Sequence, residues 1–302
     1  MDRLEAMSML VAVTDKGSFS AAARALKVPL ATLSRKISDL EAHLGTRLLV
    51  RTTRKLTLTD AGADYVVAAR RILEEVEDAE HVAAGEFTTP KGELVVTTPI
   101  LFGRLHVLPV VIEFLALYPE INLRLILADR NVDLIDDHVD MAIRIGNLPD
   151  SSMVATQVGL MRTVTCASPT FLAGRGIPKQ PVDLLKYPCV VVITPMPVPS
   201  WRFCMPTSQA MRDVPIVPRL AVTTAEAAVQ AAIQGVGITR LLQYQVADAV
   251  QSGTLQIVLQ SYEPKPVPVH LLHASRGQMP LKLRSFIDFA VPRLREALAL
   301  LL

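Results

Sequence analysis

The stretch Gly17-Ser18-Phe19-Ser20-Ala21-Ala22-Ala23-Arg24-Ala25-Leu26-Lys27-Val28-Pro29-Leu30-Ala31-Thr32-Leu33-Ser34-Arg35-Lys36-Ile37 decides the reading of the amino-terminal part of the chain. Gly17 stops a preceding helix in which Leu4, Met7, Leu10, Val11 and Val13 recur at helical spacing. Ser18 or Ser20 can cap the alanine-rich run that follows, whose helix propensity is high. Lys27-Val28-Pro29 makes a brief turn, and Pro29 suits the first position of a third helix through Leu33, Ile37, Leu40, Glu41 and Leu44, ended by Gly45. Two short helices across a tight turn predict a helix-turn-helix, which places its second helix in the DNA major groove. That helix would offer Thr32, Ser34, Arg35 and Lys36 to bases and phosphates, and Ser18 and Ser20 can also donate to phosphate.

Working outward, the residues from Leu48 to Thr59 read as two short strands, because Leu56 and Leu58 alternate with Thr57 and Thr59. Such a wing would bring Arg51, Arg54 and Lys55 to phosphates or to a narrow minor groove. Charge is unevenly spread. Between Lys16 and Lys55 nine basic residues face two acids, a net of +7, whereas from Asp60 to Glu86 eight acids face two arginines, a net of −6, although the whole chain carries only +2. A basic head of this density attracts polyanions, so nucleic acid is the first partner to consider. The acidic stretch has no proline, and Tyr65, Val66, Ala69, Ile72, Leu73, Val76, Ala79 and Val82 recur every three or four residues, predicting one long helix capped by Asp60. A helix of about 25 residues cannot bury an apolar stripe alone, so pairing with a second copy is expected. Gly85 to Gly92 has the breakers of a hinge.

Beyond Gly92 strands and helices alternate, which predicts parallel sheets covered by helices. Leu94–Thr98, Asn122–Leu127 and Met141–Ile145 read as strands of a first lobe, with a helix from about Leu101 to Leu117 and a short helix near Val132 to Ile135. Val164–Ala167, Val190–Ile193, Arg219–Val222 and Gly237–Thr239 read as strands of a second, and Val267–His273 and Leu281–Leu301 as a further strand and a last helix. The implied division is 1–59 for the DNA-binding part, 60–91 for a linker helix and hinge, and 92–302 for a two-lobed part, with lobe I about 92–163 and 267–302 and lobe II about 164–266. Ligands of open α/β sheets sit at the carboxyl ends of strands, where helix N-termini and hydroxyls favour anions. Thr97-Thr98-Pro99 and Thr223-Thr224 are such turns, the second opening a capping box with Glu226. Arg144 ends a strand and can pair with an anionic metabolite, and Trp201 and Phe203 can wall the cleft.

Composition narrows the function classes. A chain of 302 residues that is half apolar and one-fifth charged forms more than one folded unit rather than a disordered chain. Acids in the opening Met1–Leu10 segment do not suit a signal peptide, and no apolar run of membrane-spanning length lacks interruption, so a cytoplasmic protein without a membrane partner is expected. Cys166, Cys189 and Cys204 form no paired motif and read as small buried hydrophobes. Phosphate-loop, nucleophile-elbow, dinucleotide and zinc-helix motifs are missing, so neither catalysis nor a cofactor is expected. A solute-binding transport component and a ligand-free architectural DNA binder are the remaining alternatives, the first disfavoured by the basic head.

The run Gly17 to Leu26, Ser34-Arg35-Lys36-Ile37, Leu40-Glu41-x-x-Leu44-Gly45-x-Arg47-Leu48, Arg51-Thr52 and Leu58-Thr59-x-Ala61-Gly62 closely resembles the LysR-type transcriptional regulators. Val139-Asp140-Met141-Ala142-Ile143-Arg144-Ile145-Gly146 is similar to part of that family's effector domain, so the resemblance covers essentially the whole chain. It implies a winged helix-turn-helix joined by a linker helix to a two-lobed, periplasmic-binding-protein-like α/β domain. It also implies a homodimer or homotetramer on double-stranded promoter DNA, a small-molecule effector between the lobes, and RNA polymerase as a candidate further partner. Pro29-Leu30 departs from the Ser-Gln that many members carry there, so readout at those two positions must differ, with Leu30 suited to a thymine methyl.

Overall fold

The computed structural model describes residues 2–51, 56–83, 89–129, 134, 137–148, 153–193, 200–274 and 279–300. Contacts divide the chain into two units, Met1–Thr89 and Pro90–Leu302. The first holds α1 (Arg3–Lys16), α2 (Phe19–Leu26), α3 (Leu30–Leu44), β1 (Leu49–Arg51), β2 (Leu56–Leu58) and α4 (Asp60–Ala83). Asp2 caps α1 by accepting from the Leu4 and Glu5 amides, and Gly17 closes it in the left-handed conformation at φ 66°. Ser18, not Ser20, caps α2, accepting from the Ala21 amide at 3.1 Å. Pro29 stands just outside α3 as its N-cap, because its extended ψ of 138° precedes the first helical residue. Ala6, Met9, Leu10, Val13, Ala22, Leu33, Ile37, Leu40, Leu48 and Val66 form one core beneath the three helices and the start of α4.

β1 pairs antiparallel with β2, Leu49 opposite Leu58 and Arg51 opposite Leu56. Glu41 of α3 ties this hairpin down, accepting from the Leu48 and Leu49 amides at 2.8 and 3.0 Å. The cap of α4 is Thr59 rather than Asp60, since its hydroxyl accepts from the Gly62 amide at 2.9 Å while donating to Arg47 O at 2.7 Å. Gly62 lies so close to β1 that a Cβ there would fall 2.0 Å from Leu48 O. The beginning of the α4 stripe is covered within the chain: Val66 and Ala69 are buried, and Arg70 pairs with Asp15 of α1.

The second unit contains β3 (Gly92–Thr98), α5 (Ile100–Phe102), a π-turn over Gly103–Val107, α6 (Leu108–Leu117), β4 (Ile121–Leu127), β5 (Met141–Ile145) and β6 (Met153–Met161). It continues with β7 (Thr163–Ala167), α7 (Pro169–Arg175), β8 (Pro188–Val192), β9 (Ser200–Cys204), β10 (Met211–Pro215) and β11 (Val217–Val222). α8 (Ala225–Ile233), β12 (Ile238–Leu242), α9 (Gln243–Gln251), β13 (Gln256–Val258), β14 (Val267–Ala274) and α10 (Leu281–Ala299) complete it. The expected short helix near Val132 to Ile135 falls almost wholly outside the described residues.

Two five-stranded sheets form the lobes, in the orders β4-β3-β5-β14-β6 and β11-β8-β12-β7-β13. They are mixed rather than parallel as expected: β14 runs antiparallel to β5 and β6, and β7 antiparallel to β12 and β13. The antiparallel strands are those that flank the two crossings of the chain between lobes, so each reverses direction on entering its sheet. On lobe I, Leu94, Val96, Met141, Ile143, Val269 and Leu271 meet Phe102, Phe114 and Phe286 in one core, while Val95, Ala142 and Leu272 face the opposite side. The helical stretch Ile100–Leu117 has a mean hydropathy of 1.9 and enough length to cross a membrane, but Gly103, Arg104, His106, Pro109 and Glu113 interrupt it, and it packs on α10 and β4.

Replacing Gly62 by alanine should therefore destabilise the amino-terminal unit by about 1–3 kcal/mol through forced displacement of β1. A urea midpoint unchanged by Gly62→Ala would show that β1 moves freely.

Candidate functional site

The turn between α2 and α3 is built by Lys27 in the left-handed conformation at φ 56°, with the Val28 amide returning to Ala23 O at 3.0 Å. Buried Ala22, Ala23, Leu33 and Ile37 press the two helices together, leaving Leu30, Ala31 and Arg35 exposed on the outer face of α3. Thr32 and Ser34 are half-buried. Lys36 is turned toward α1, where Glu5 holds its ammonium. A shallow groove beside the turn is lined by Ser20, Arg24, Lys27, Pro29 and Leu30. Arg24 and Lys27 belong to the basic charge of this segment, and their spacing of three on a short helix and its cap is the sequence signal that places them together. Of the wing residues, Arg51 is described in its backbone only, and Arg54 and Lys55 lie outside the described residues.

In the second unit the carboxyl ends of the two sheets face each other. Arg104, after α5, approaches Glu226 at the start of α8 within 3.9 Å. Tyr244 of α9, immediately beyond β12, is buried in the core of lobe I, its ring 5.5 Å from Phe102 and 5.8 Å from His106. Thr97 and Thr98 are both fully buried with hydroxyls that have no partner, yet they point to opposite faces of β3. Thr98 lies beneath Gly103, whose added Cβ would sit 2.4 Å from its methyl. Thr97 is opposite Ala142 and so shares its face with Arg144, which extends beyond the end of β3. Arg144 donates through Nη1 to Ile143 O at 3.3 Å, while its buried Nη2 has no partner. His270 is its cross-strand neighbour.

The amide after Pro99, that of Ile100, is already taken by the Asp129 carboxylate at 3.0 Å. On lobe II, Thr224 rather than Thr223 caps α8, accepting from the Ala227 amide at 3.3 Å, so the expected capping box with Glu226 is out of register by one residue. Trp201 and Phe203 do not wall the cleft. Both are packed with Leu184, Val214 and Ile216 in the core of lobe II, because β9 and β10 pair into a hairpin laid over that core, and the guanidinium of Arg240 covers the Phe203 ring at 4.8 Å. Burial pushes the thiols of Cys166 and Cys189 up to about 12 and about 11, which leaves them protonated and unreactive.

Two family models cover the chain: the bacterial regulatory helix-turn-helix of the lysR family over residues 4–63, and the LysR substrate binding domain over 88–295. The chain belongs to the LysR family of transcriptional regulators. An HTH-type transcriptional regulator of Xanthomonas campestris is 36% identical, spanning 95% of this chain and 84% of that protein. An HTH-type transcriptional repressor of Pseudomonas aeruginosa is 33% identical over 98% of this chain and 93% of its own length. The structure of CrgA, a LysR-type transcriptional regulator from Neisseria meningitidis, is matched with a TM-score of 0.61 and 32% identity over 96% of this chain and 98% of that one. This LysR-type regulator thus joins a DNA-binding helix-turn-helix to an effector-binding domain of two lobes.

His106, Tyr244 and Asp129 were not legible as neighbours, since only sheet order and the meeting of strand ends bring them together. Burial holds the His106 imidazole below its usual 6.5. The unfolded chain therefore takes up a proton first as the pH falls, and stability contributed by neutral His106 is present above 6.5 and is lost on acidification below it. His106→Gln should reduce the drop in urea midpoint between about pH 8 and about pH 5.5; an identical drop in variant and parent would refute this.

Proposed function

We propose that this LysR-type regulator binds specific promoter DNA through α2, the turn and α3, and that a small acidic effector held between its lobes sets how it does so. The observation that carries the effector reading is the pairing of two unsatisfied groups on one face at the strand ends: the buried Thr97 hydroxyl and the buried Nη2 of Arg144. Buried polar groups ordinarily find partners, and a carboxylate would satisfy both. On α3, Arg35 is the base-reading candidate, with Thr32 and Ser34 beside it and Leu30 for a methyl group. Ser20, Arg24 and Lys27, which line the groove beside the turn, would meet phosphates in this reading, and Lys36, already paired with Glu5, would contribute less. From the sequence, Arg51, Arg54 and Lys55 would add the phosphate contacts of a wing.

The apolar stripe of α4 continues past the part that α1 covers, which supports a homodimer through this helix, with assembly to a tetramer as its extension. The relatives are named as transcriptional regulators, which supports a regulator without enzymatic activity that acts in the cytoplasm, with RNA polymerase as a candidate further partner.

Incubating the purified protein with sheared DNA from its own genome and sequencing the retained fragments tests the first half. Enrichment of a few intergenic fragments is expected, and uniform recovery would sink the claim of specificity. On such a fragment Arg35→Ala should cost about 1–3 kcal/mol and relax one base position, whereas Arg24→Ala should weaken all sequences alike and lower the salt slope by about one. Thr97→Val should remove the response to an acidic effector while DNA affinity stays intact; a retained response would detach Thr97 from the cleft.

A further inference from the structure

Lobe II presents a second guanidinium in the same condition as Arg144. Arg240 is the middle residue of β12, one residue beyond the last pair of the ladder with the parallel strand β8, Thr239 opposite Val190, and so toward the side where β8 and β11 end. Its Nη2 donates to Arg202 O at 2.5 Å, its plane covers Phe203, and its buried Nε has no hydrogen-bond partner. The acid whose charge reaches it, Glu263, is engaged through both oxygens by Arg162 at 2.9 and 3.0 Å, and Asp213 is taken by Arg202 at 3.2 Å. Among the described residues, neither Arg144 nor Arg240 makes an ion pair. Burial lowers the pKa of both, that of Arg240 to about 10, so both remain charged at neutral pH. A half-buried cation without a counterion is costly to keep.

The two guanidiniums belong to different lobes, and the lobes meet at the strand ends that carry them. Arg104 approaches Glu226 there, and Tyr244, just past the end of β12, enters the core of lobe I. The helix end at Ile100 is not open to an anion, since Asp129 occupies its first amide. Acid groups in this cleft are therefore directed to the arginines.

We propose that the effector is a small dicarboxylate, one carboxylate held by Arg144 and Thr97 in lobe I and the other by Arg240 in lobe II, so that a single molecule ties the lobes together. This rests on the reading of the cleft as an acid-binding effector site and adds to it the second charge and the residue that selects it. Arg240 is thereby the specificity-determining residue: a monocarboxylate satisfies lobe I alone.

The test is thermal unfolding of the full-length protein with matched acids, pentanoate against glutarate and benzoate against isophthalate. At least one dicarboxylate should raise the melting temperature in a concentration-dependent way where its monocarboxylate counterpart does not. Arg240→Gln should weaken that dicarboxylate about ten- to a hundredfold, with Arg240→Lys recovering part of the loss. Monocarboxylates binding as well as dicarboxylates, with Arg240→Gln silent, would overturn the second charge and leave the acid-binding cleft standing. No shift by any of the four acids would overturn both. Should Arg240→Gln fail to fold, the comparison of mono- with dicarboxylate on the unaltered protein and on Arg240→Lys decides alone.

Discussion

The bidentate pair between Arg162 and Glu263 is the contact on which the geometry of the two lobes depends. The chain passes between lobes twice, once at Arg162 between β6 and β7 and once after Tyr262 on the way to β14, and this pair joins the two crossings. Fork-to-carboxylate bonding fixes direction as well as distance, which a single hydrophobic contact does not. Both side chains are largely withdrawn from water, so removing one partner would strand the other as an unpaired charge. Its value lies less in net stability than in setting one angle between the sheets. Arg162 O also accepts from the Gln243 amide at 2.9 Å, so the same residue seats α9 and with it Tyr244.

Several buried atoms without partners gather near the strand ends of the two lobes. Elsewhere in the molecule hydroxyls and carboxylates are used locally: Thr59 and Ser18 cap helices, Glu41 anchors a strand, and Asp140 accepts from the Val95 amide at 2.8 Å. At the strand ends Thr97, Thr98, His106, Arg144 and Arg240 each retain a buried atom without a partner. Such atoms are expensive in a folded protein and are tolerated where a ligand or water supplies the missing bond.

Much of the architecture was legible because local chemistry dictates it. Gly17 and Gly45 end their helices by adopting positive φ, and β5 was bounded correctly from Met141 to Ile145 by its buried run between turns. What escaped was set by tertiary context. β6 alternates weakly and contains Gly159, which the side chain of Leu298 on α10 requires to be small. The β9–β10 hairpin is stabilised by Trp201 and Phe203 facing inward, which from composition looked like a binding surface. Thr223 and Thr224 could each have capped α8, and only the backbone conformation chooses between them. Thr97, Thr98 and Arg144 were recognisable as strand-end polar groups. That Thr97 and Thr98 serve opposite faces follows from pleat and register. Arg240 gave no signal, because its environment is created by a hairpin and a crossing that lie far from it in sequence.

The π-turn at Gly103–Val107 has a bearing on how this chain can vary in length. Its widened turn, closed by the Leu108 amide on Gly103 O, admits one more residue than regular helix would. Phe102 just before it and Val107, Val110 and Phe114 at and beyond its end thereby share one core with Tyr244, whose ring His106 also meets. Excising one residue would restore regular winding and rotate the preceding turn by about 100°, carrying Leu101 and Phe102 away from their cavities. The number of residues from β3 to α6 is therefore as much a part of this end of the lobe as any of the groups that line it.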